Sequence, residues 1–222
     1  MAKRRPRITK PKTAREMGYT EEAIRIVDRV FREMESPFGR KESDVAREIT
    51  RMIRAQGASL SFRPIVASGR NSGFVHHKPG RKVVREEEPV IFDIGAKYRG
   101  CCSDITRMHI PDSKKIKRMY SHALAMQKKV ISNARAGTTF RRLHDIYAKE
   151  MKSRGYKVRH LIGHGIGREV HERVKGELEE GMIITVEPGI YIKGLGGCRV
   201  EDMVAIRKGR PKVLSRFMQP LL

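Results

Sequence analysis

The sequence predicts an α+β fold built as one duplicated unit. Two segments with helical periodicity are followed by strand-like segments, and the same order then occurs a second time within the 222 residues. The length suits one domain with a buried core, and a hydrophobic fraction of 39% beside a charged fraction of 33% is typical of globular chains rather than disordered ones. We therefore expect helix pairs packed on antiparallel strands in both halves of the chain.

The first half is predicted to contain two amphipathic helices. The first begins near Thr20, a favourable N-cap followed by two glutamates, and its apolar residues recur at helical spacing as far as Met34. The second follows Ser43 and ends at Gly57. Strand-like segments are predicted at 61–68, 90–95 and 102–110.

The second half repeats this order. A helix is predicted over 114–136, stopped by Gly137, and another follows Thr139. Strand-like segments are then predicted at 182–186, 189–193 and 198–206.

A basic segment precedes these elements. Residues 1–18 carry seven Lys/Arg, one Glu and two prolines, without apolar periodicity. This composition predicts a flexible basic arm at 1–18, followed by a single domain at 19–222.

The charge balance limits the classes of partner. Lys and Arg number 48 against 25 Asp and Glu, which gives a formal charge of +23 and an isoelectric point near 10.4. Such an excess attracts anions, including nucleic acid, through counterion release. Contact with nucleic acid through a basic surface is therefore one expectation.

Cysteine usage indicates the compartment. Cys101, Cys102 and Cys198 make an odd count, and two of them are adjacent, which disfavours a disulfide framework. This pattern is typical of a reducing, cytoplasmic environment. No apolar run approaches membrane-spanning length, and no apolar segment of a secretory signal follows the basic N-terminus, so we expect no membrane contact.

Five polar residues stand inside apolar or glycine-rich stretches. They are Asp93 in VIFDIG, Asp104 in CCSDIT, His164 in IGHGIG, Glu187 in IITVEPGIY and Glu201 in CRVEDMV. Taken singly, each has an ordinary structural explanation as a turn, cap, solvent-facing or backbone-bonded residue. Taken together, four carboxylates in apolar strands would repel one another and be badly desolvated. Divalent cations remove this problem, and a set of four carboxylates with one imidazole suits two ions of the Mn, Co, Fe or Zn type.

At these five motifs the chain resembles the pita-bread (M24-type) metallopeptidases, the fold of methionine aminopeptidase, prolidase and aminopeptidase P. The resemblance runs from Glu21 to Arg216 and implies the pita-bread fold around a dinuclear metal site. It implies that two divalent ions (Mn, Co, Zn or Fe) are held by Asp93, Asp104, His164, Glu187 and Glu201.

The surrounding residues favour one branch of that family. The stretches SFRPIVASGRN, VHHKP, DITR, EPGIY and RVEDMV resemble the prolidase and aminopeptidase P branch, which implies hydrolysis of Xaa-Pro bonds in a peptide substrate. The same resemblance implies that His76, His160 and His171 contact substrate. Tyr191 and Arg199 match positions close to the metal carboxylates.

The resemblance also implies a mechanism. A hydroxide between the two ions would attack the scissile carbonyl, with Glu187 as the proton shuttle. His76 and His171 would orient the peptide and stabilise the developing oxyanion.

Departures from the family pattern keep alternatives open. Members of this branch carry an N-terminal domain before the catalytic one, and we expect this chain to lack it, which leaves substrate length and oligomeric state undetermined. His77 replaces the small residue of the family's H-A-K-P and is assigned no role, and Val174 replaces the proline of H-E-x-P. The alternatives are methionine aminopeptidase-like or creatinase-like hydrolysis, or a non-catalytic pita-bread protein that binds nucleic acid or ribosomes.

Overall fold

The computed structural model describes residues 7–215, so residues 1–6 and 216–222 lie outside the description below. Two helix pairs occur, one in each half of the described chain, as the periodicity predicts. They are α1 (Ala14–Glu33), α2 (Glu42–Ala55), α3 (Lys114–Asn133) and α4 (Phe140–Ser153), with a 3-10 helix at Gly69–Gly73. Among the described residues, no helix combines the length and apolar character needed to cross a bilayer.

All the paired strands run antiparallel. In chain order they are β1 (Ser59–Leu60), β2 (Ile65–Ser68), β3 (Val90–Ile94), β4 (Ala96–Tyr98), β5 (Cys101–Cys102), β6 (Ile105–His109), β7 (Ile183–Val186), β8 (Gly189–Ile192), β9 (Gly196–Arg199), β10 (Asp202–Ala205) and β11 (Lys212–Val213). They form sheets in the orders β1-β4-β5, β2-β3-β6, β11-β10-β7 and β8-β9.

Strand β3 lies between two hydrophobic clusters. Its alternate residues Val90, Phe92 and Ile94 belong to the cluster that packs on α1 and α2, whereas Ile91 belongs to the cluster that packs on α3 and α4. Because successive side chains of a strand point to opposite faces, Asp93 shares its face with Ile91. The apolar surroundings of Asp93 in the sequence thus reflect a strand that is buried on both faces.

Two predicted strands are interrupted, each at a predicted metal ligand. The segment 102–110 breaks between β5 and β6, where Asp104 stands, and the segment 198–206 breaks between β9 and β10, where Glu201 stands. Because Asp104 and Glu201 lie outside the paired strands, their side chains need not follow the alternation between the two sheet faces that the strand residues on either side obey.

The predicted start of the first helix is wrong. Helix α1 begins at Ala14 and is capped by Thr13, whose hydroxyl accepts from the backbone N–H of Glu16 while the Glu16 carboxylate accepts from the backbone N–H of Thr13. This capping box satisfies two helix-end donors. Thr20 lies buried inside the helix instead. The smaller differences are that α2 begins at Glu42, before Ser43, and that α3 ends at Asn133.

Residues 1–6 of the predicted flexible arm lie outside the described residues, and the structure differs from the prediction over residues 7–18. Residues 14–18 are helical. Ahead of them, the backbone N–H of Thr9 donates to Arg173 O at 3.0 Å, and that of Lys12 donates to Gly181 O at 2.9 Å. The segment 7–13 is therefore joined to the second half of the chain.

Candidate metal centre

Three of the predicted ligands converge on one point. Atoms of Asp104, His164 and Glu201 all lie within 4.8 Å of one another, and the three side chains are buried or half-buried. Glu187 borders this group, because its Oε1 lies 3.6 Å from His164 Nε2. Asp104 Oδ2 lies 3.5 Å from the same nitrogen. This cluster is the candidate metal centre.

The backbone around His164 fixes its ring. Its backbone N–H donates to Thr185 Oγ1 at 3.1 Å, and its carbonyl accepts from the backbone N–H of Thr185 at 2.8 Å. A Cβ on Gly163 would lie 2.0 Å from Thr185 O, so this close approach requires glycine. The ring Nδ1 donates to Gly165 O at 3.1 Å, which leaves the Nε2 lone pair directed at the carboxylates.

Asp93 has one paired and one unpaired oxygen. Its Oδ2 accepts from Arg199 Nη2 at 2.6 Å. Its Oδ1 is buried, and no hydrogen-bond partner for it occurs within residues 7–215. An unpaired buried carboxylate oxygen is costly, so a cation at this position would remove a real penalty.

Glu201 is held from the side by a hydroxyl that the sequence analysis did not select. Thr106 Oγ1 donates to Glu201 Oε2 at 2.8 Å and accepts from Arg199 Nε at 3.1 Å. Because Thr106 pairs with Asp93 across β3 and β6, it lies beside both carboxylates. The DITR stretch contained this threonine, but nothing in its local pattern distinguishes it from a strand residue.

The electrostatics of the cluster favour bound cations. Burial raises the pKa of Asp104 well above its usual range, and the charges of Asp93 and Glu187 raise it further. Burial likewise raises the pKa of Glu201, with Asp104 adding to the effect. Burial also raises the pKa of Glu187, although a positive charge on His164 would oppose this and the Arg199 guanidinium does oppose it. Oxygen-rich groups that repel one another, with one imidazole nitrogen, fit a divalent cation.

The cluster forms the floor of a cavity of about 600 Å³. Nine of the ten predicted site residues line it, and Tyr191 lies directly behind them; the nine are His76, Asp93, Asp104, His160, His164, His171, Glu187, Arg199 and Glu201. A concave pocket with a few convergent polar groups is the usual form of a small-ligand site.

A chain of hydrogen bonds runs from Arg199 to the wall of this cavity. Arg199 Nη1 donates to Tyr191 OH at 2.9 Å, and Tyr191 OH lies 3.1 Å from His160 Nε2. His160 Nδ1 donates to Leu161 O at 2.7 Å, so its Nε2 accepts from the tyrosine. Burial lowers the pKa of His160 to about 4, which keeps the ring neutral in this role.

The other two histidines stand at the side of the cavity. The ring of His171 packs edge-on against that of His164, with centroids 4.3 Å apart. Burial, together with the neighbouring His164 and His76, lowers the pKa of His171 to about 4. His76 lies on an exposed loop that borders the same cavity. Its neighbour His77, to which the sequence analysis gave no role, is half-buried and bonded to Glu42.

Comparison with known proteins places this geometry in a family. The model of metallopeptidase family M24 matches residues 19–208. The Xaa-Pro dipeptidase of Pyrococcus horikoshii is 36% identical over 224 residues, which cover 95% of this chain and 64% of the relative. The Xaa-Pro dipeptidase of Pyrococcus furiosus is 35% identical with the same coverage. The chain thus spans 64% of the length of these relatives.

Solved structures agree with the sequence relatives. The prolidase from Pyrococcus horikoshii OT3 superposes with a TM-score of 0.90 at 35% identity, over 96% of this chain and 65% of that chain. The X-Pro aminopeptidase from Thermotoga maritima MSB8 gives a TM-score of 0.89 at 33% identity, over 94% and 62%. These likenesses confirm the predicted pita-bread fold and the predicted branch. The chain belongs to metallopeptidase family M24.

Proposed function

We propose that the protein is a metal-dependent peptidase that hydrolyses Xaa-Pro bonds. The observation that carries this proposal is the convergence of Asp104, His164 and Glu201 on the floor of a cavity that three further histidines line. The similarity to proteins named Xaa-Pro dipeptidase, prolidase and X-Pro aminopeptidase supports an Xaa-Pro substrate over a methionyl one.

Two divalent ions, of Mn, Co, Zn or Fe, would be held by Asp93, Asp104, His164, Glu187 and Glu201. When bound, such ions would lower the pKa of a bound water and polarise the scissile carbonyl. The raised pKa values of the three clustered acids and the unpaired oxygen of Asp93 support this assignment.

The chain's own side chains supply proton transfer and orientation. Glu187, which borders the cluster with its Oε1 3.6 Å from His164 Nε2, would hold and release a proton at its carboxylate. His171 is neutral near pH 7, since its pKa is about 4, and its ring N–H can donate to a developing oxyanion. His76 and His160 both line the cavity and would orient the peptide in it.

Turnover with defined metals tests the proposal. The purified protein, loaded with Mn²⁺ or Co²⁺, should hydrolyse an Xaa-Pro dipeptide or an Xaa-Pro-Yaa tripeptide and leave a methionyl-alanyl peptide intact. Elemental analysis of the same sample should find up to two ions per chain. Hydrolysis of the methionyl peptide alone would favour the methionine aminopeptidase alternative, and no hydrolysis of any peptide by metal-loaded protein would refute the proposal.

A basic groove away from this cavity supports a second proposal, contact with nucleic acid. The groove has a volume of about 1260 Å³ and is lined by the cations Lys128, Arg135, Arg207, Arg210 and Lys212. Asp202, the carboxylate among its described lining residues, is already paired with Arg107 at 2.9 Å. With the formal charge of +23, this lining favours phosphates. The same basic character is compatible with a ribosomal partner.

Salt-dependent RNA binding tests this second proposal. Binding of a fluorescent single-stranded RNA should weaken steeply between 50 and 200 mM salt, because each neutralised phosphate releases counterions. The double variant Arg207→Glu and Arg210→Glu should bind at least about tenfold more weakly, with peptide hydrolysis unchanged. The pair Arg47→Glu and Arg51→Glu, on exposed positions of α2, is the matched control. Equal weakening by both pairs would mean that only the net charge attracts RNA.

The free thiols indicate the cellular compartment of this activity. Cys101, Cys102 and Cys198 are all buried and unbonded to one another. Because free thiols persist in reducing compartments, we assign the activity to the cytoplasm.

A further inference from the structure

The loop that carries His76 is tied down on its other side by a buried acid. Glu42, the first residue of α2, has no exposed side-chain surface. Its Oε1 accepts from both the backbone N–H and the hydroxyl of Ser68 at 2.8 Å, and from Asn71 Nδ2 at 3.1 Å. Its Oε2 accepts from His77 Nε2 at 2.8 Å and from the backbone N–H of Gly80 at 3.3 Å. One carboxylate thus joins β2, the 3-10 helix and the loop 74–80.

The ionisation of Glu42 fits this role. Burial raises the pKa of Glu42, but the hydrogen bonds from Ser68, His77 and Asn71 outweigh burial and hold the pKa below its usual range. The acid is therefore a carboxylate near pH 7 and accepts every one of these bonds. The position next to the start of α2 adds a favourable interaction with the helix dipole.

Both neighbours of His76 are fixed to buried charges. On one side, Val75 O accepts from Arg199 Nη1 at 3.2 Å, and Arg199 also holds Asp93. On the other side, His77 is held by Glu42. The exposed ring of His76 lies between these two anchors, at the border of the cavity. Within residues 7–215 the ring of His76 makes no hydrogen bond, so its position depends on the backbone that the anchors hold.

We propose that His77 is a positioning residue that, through its bond to Glu42, fixes the loop carrying His76 at the edge of the metal cavity. This inference rests on the proposed function, in which His76 contacts the peptide. His77 stands where the family pattern has a small residue, so this chain has an anchor that the pattern does not provide. Misplacing a substrate-positioning group by about 1 Å can cost on the order of 10²-fold in rate, which makes such an anchor consequential.

A substitution at His77 should leave the fold intact. Without the imidazole, Glu42 Oε2 still accepts from the backbone N–H of Gly80 and lies 3.2 Å from Asn71 Nδ2. The carboxylate is thus not left unpaired, and the larger penalty of an orphaned buried charge is avoided. His77→Ala is therefore a usable test of position, whereas a substitution of Glu42 disturbs five other bonds.

The first measurement is a double-mutant cycle on peptide hydrolysis. His77→Ala should lower kcat/KM by about tenfold, mainly through a higher KM, because the peptide meets a less ordered His76. In a His76→Ala background the same change should have no further effect, since there is no imidazole left to position. An equal loss in both backgrounds would overturn the proposal.

Two further variants separate positioning from general damage. His77→Gln retains a donor near the place of Nε2 and should recover most of the lost kcat/KM. His122→Ala removes a half-buried histidine whose Nδ1 lies 3.0 Å from Tyr156 OH, outside the cavity, and should leave kinetics unchanged. A Gln variant as slow as the Ala variant would contradict the proposed bond.

Amide hydrogen exchange tests the anchoring of the loop without depending on peptidase activity. In the metal-loaded protein, His77→Ala should speed exchange at residues 74–80 by about tenfold or more and leave α3 and α4 unchanged. Faster exchange without any peptidase activity in the wild type would refute the proposed function but retain the anchor. Unchanged exchange in this loop would overturn the anchor itself.

Discussion

Two loops carry histidines to the cavity, and each is fixed by a buried acid. In the first half, Glu42 holds the loop of His76. In the second half, Glu172 stands next to His171 and is almost fully buried, with its Oε1 accepting from the backbone N–H of Arg168 at 3.0 Å. The two acids therefore have similar tasks in the two halves.

Their partners differ in origin. All the partners of Glu42 lie between Ser68 and Gly80, within 38 residues of the acid. Glu172 instead pairs with Lys12 Nζ at 3.0 Å, across 160 residues of chain, and both side chains are less than a tenth exposed. The second loop thus depends on the segment 7–13, which the composition alone predicts as a mobile arm. Similar anchors are thus assembled from nearby residues in the first half and from residues 160 positions apart in the second.

The largest effect is expected at the candidate metal centre, to which both halves contribute residues. Asp104→Asn should lower kcat on the order of 10³-fold and weaken Mn²⁺ binding, because the ligand set loses a charge. Metal addition should raise the melting temperature of the wild type and have less effect on the variant, which calorimetry with and without chelator can measure. Asp112→Asn, at an exposed aspartate, is the matched control. Equal metal stabilisation of both variants would contradict the site.

Removing the charge of Glu42, which anchors the loop of His76, should have the second-largest effect. Glu42→Gln should reduce the free energy of unfolding by about 2–4 kcal/mol at pH 7, since a buried network loses its charge. Because the pKa of Glu42 is lowered on folding, its contribution is present above the unfolded-state pKa and is lost as pH falls through the folded value. The gap between wild type and variant in urea unfolding should therefore narrow below about pH 4.3. Glu87→Gln, at an exposed glutamate, should show no such gap.

Removing Lys12, the distant partner of Glu172, should have a slightly smaller effect on stability. Lys12→Met leaves Glu172 with backbone donors only, and we expect a loss of about 2–3 kcal/mol in unfolding free energy. Adding Glu172→Gln should recover part of it, because the remaining buried charge is gone. Amide exchange should accelerate at 165–173 and not at 74–80, whereas Glu42→Gln should show the reverse. The control is Lys10→Met, at an exposed position of the same segment. Coupled exchange of both loops would mean that the anchors are not independent.

The smallest effect concerns the hydroxyl between the halves. Thr106→Val keeps the shape of the side chain but removes the donor to Glu201 and the acceptor for Arg199, which should cost about 1 kcal/mol in stability. Thermal unfolding of Thr50→Val provides the comparison, since that hydroxyl only bonds Ala46 O on α2. A larger loss for Thr50→Val would contradict the special place of Thr106.

The sequence predicted those parts of the molecule that repeat a local pattern. The α+β class, the helix pairs and the family were confirmed, because periodicity and five separated motifs report on them directly. Four of the five candidate ligands are carboxylates, and they could be selected because a carboxylate among apolar residues needs a compensating charge. Their metal-binding role remains a prediction, although the structure brings Asp104, His164 and Glu201 together.

The parts that the sequence did not predict depend on distant contacts or on misleading local signals. The Thr13 capping box was overlooked because Thr20 with its two acids looked like a better helix start. The anchoring role of Glu42 could not be predicted from the sequence, because the helix dipole alone explains an acid in the first turn of a helix. Lys12 was one cation among many, and only the fold brings it to Glu172.

The pairing of Lys12 with Glu172 has a consequence for how the protein is made. At roughly 5–20 residues per second, synthesis of the intervening 160 residues takes roughly 8–32 s, and the early segment has no native partner during that time. Contacts of such high sequence separation also close late in folding. The segment 7–13 is therefore made long before its partner and is among the last parts to find its place, so the pocket is not complete until the residues around Glu172 have emerged.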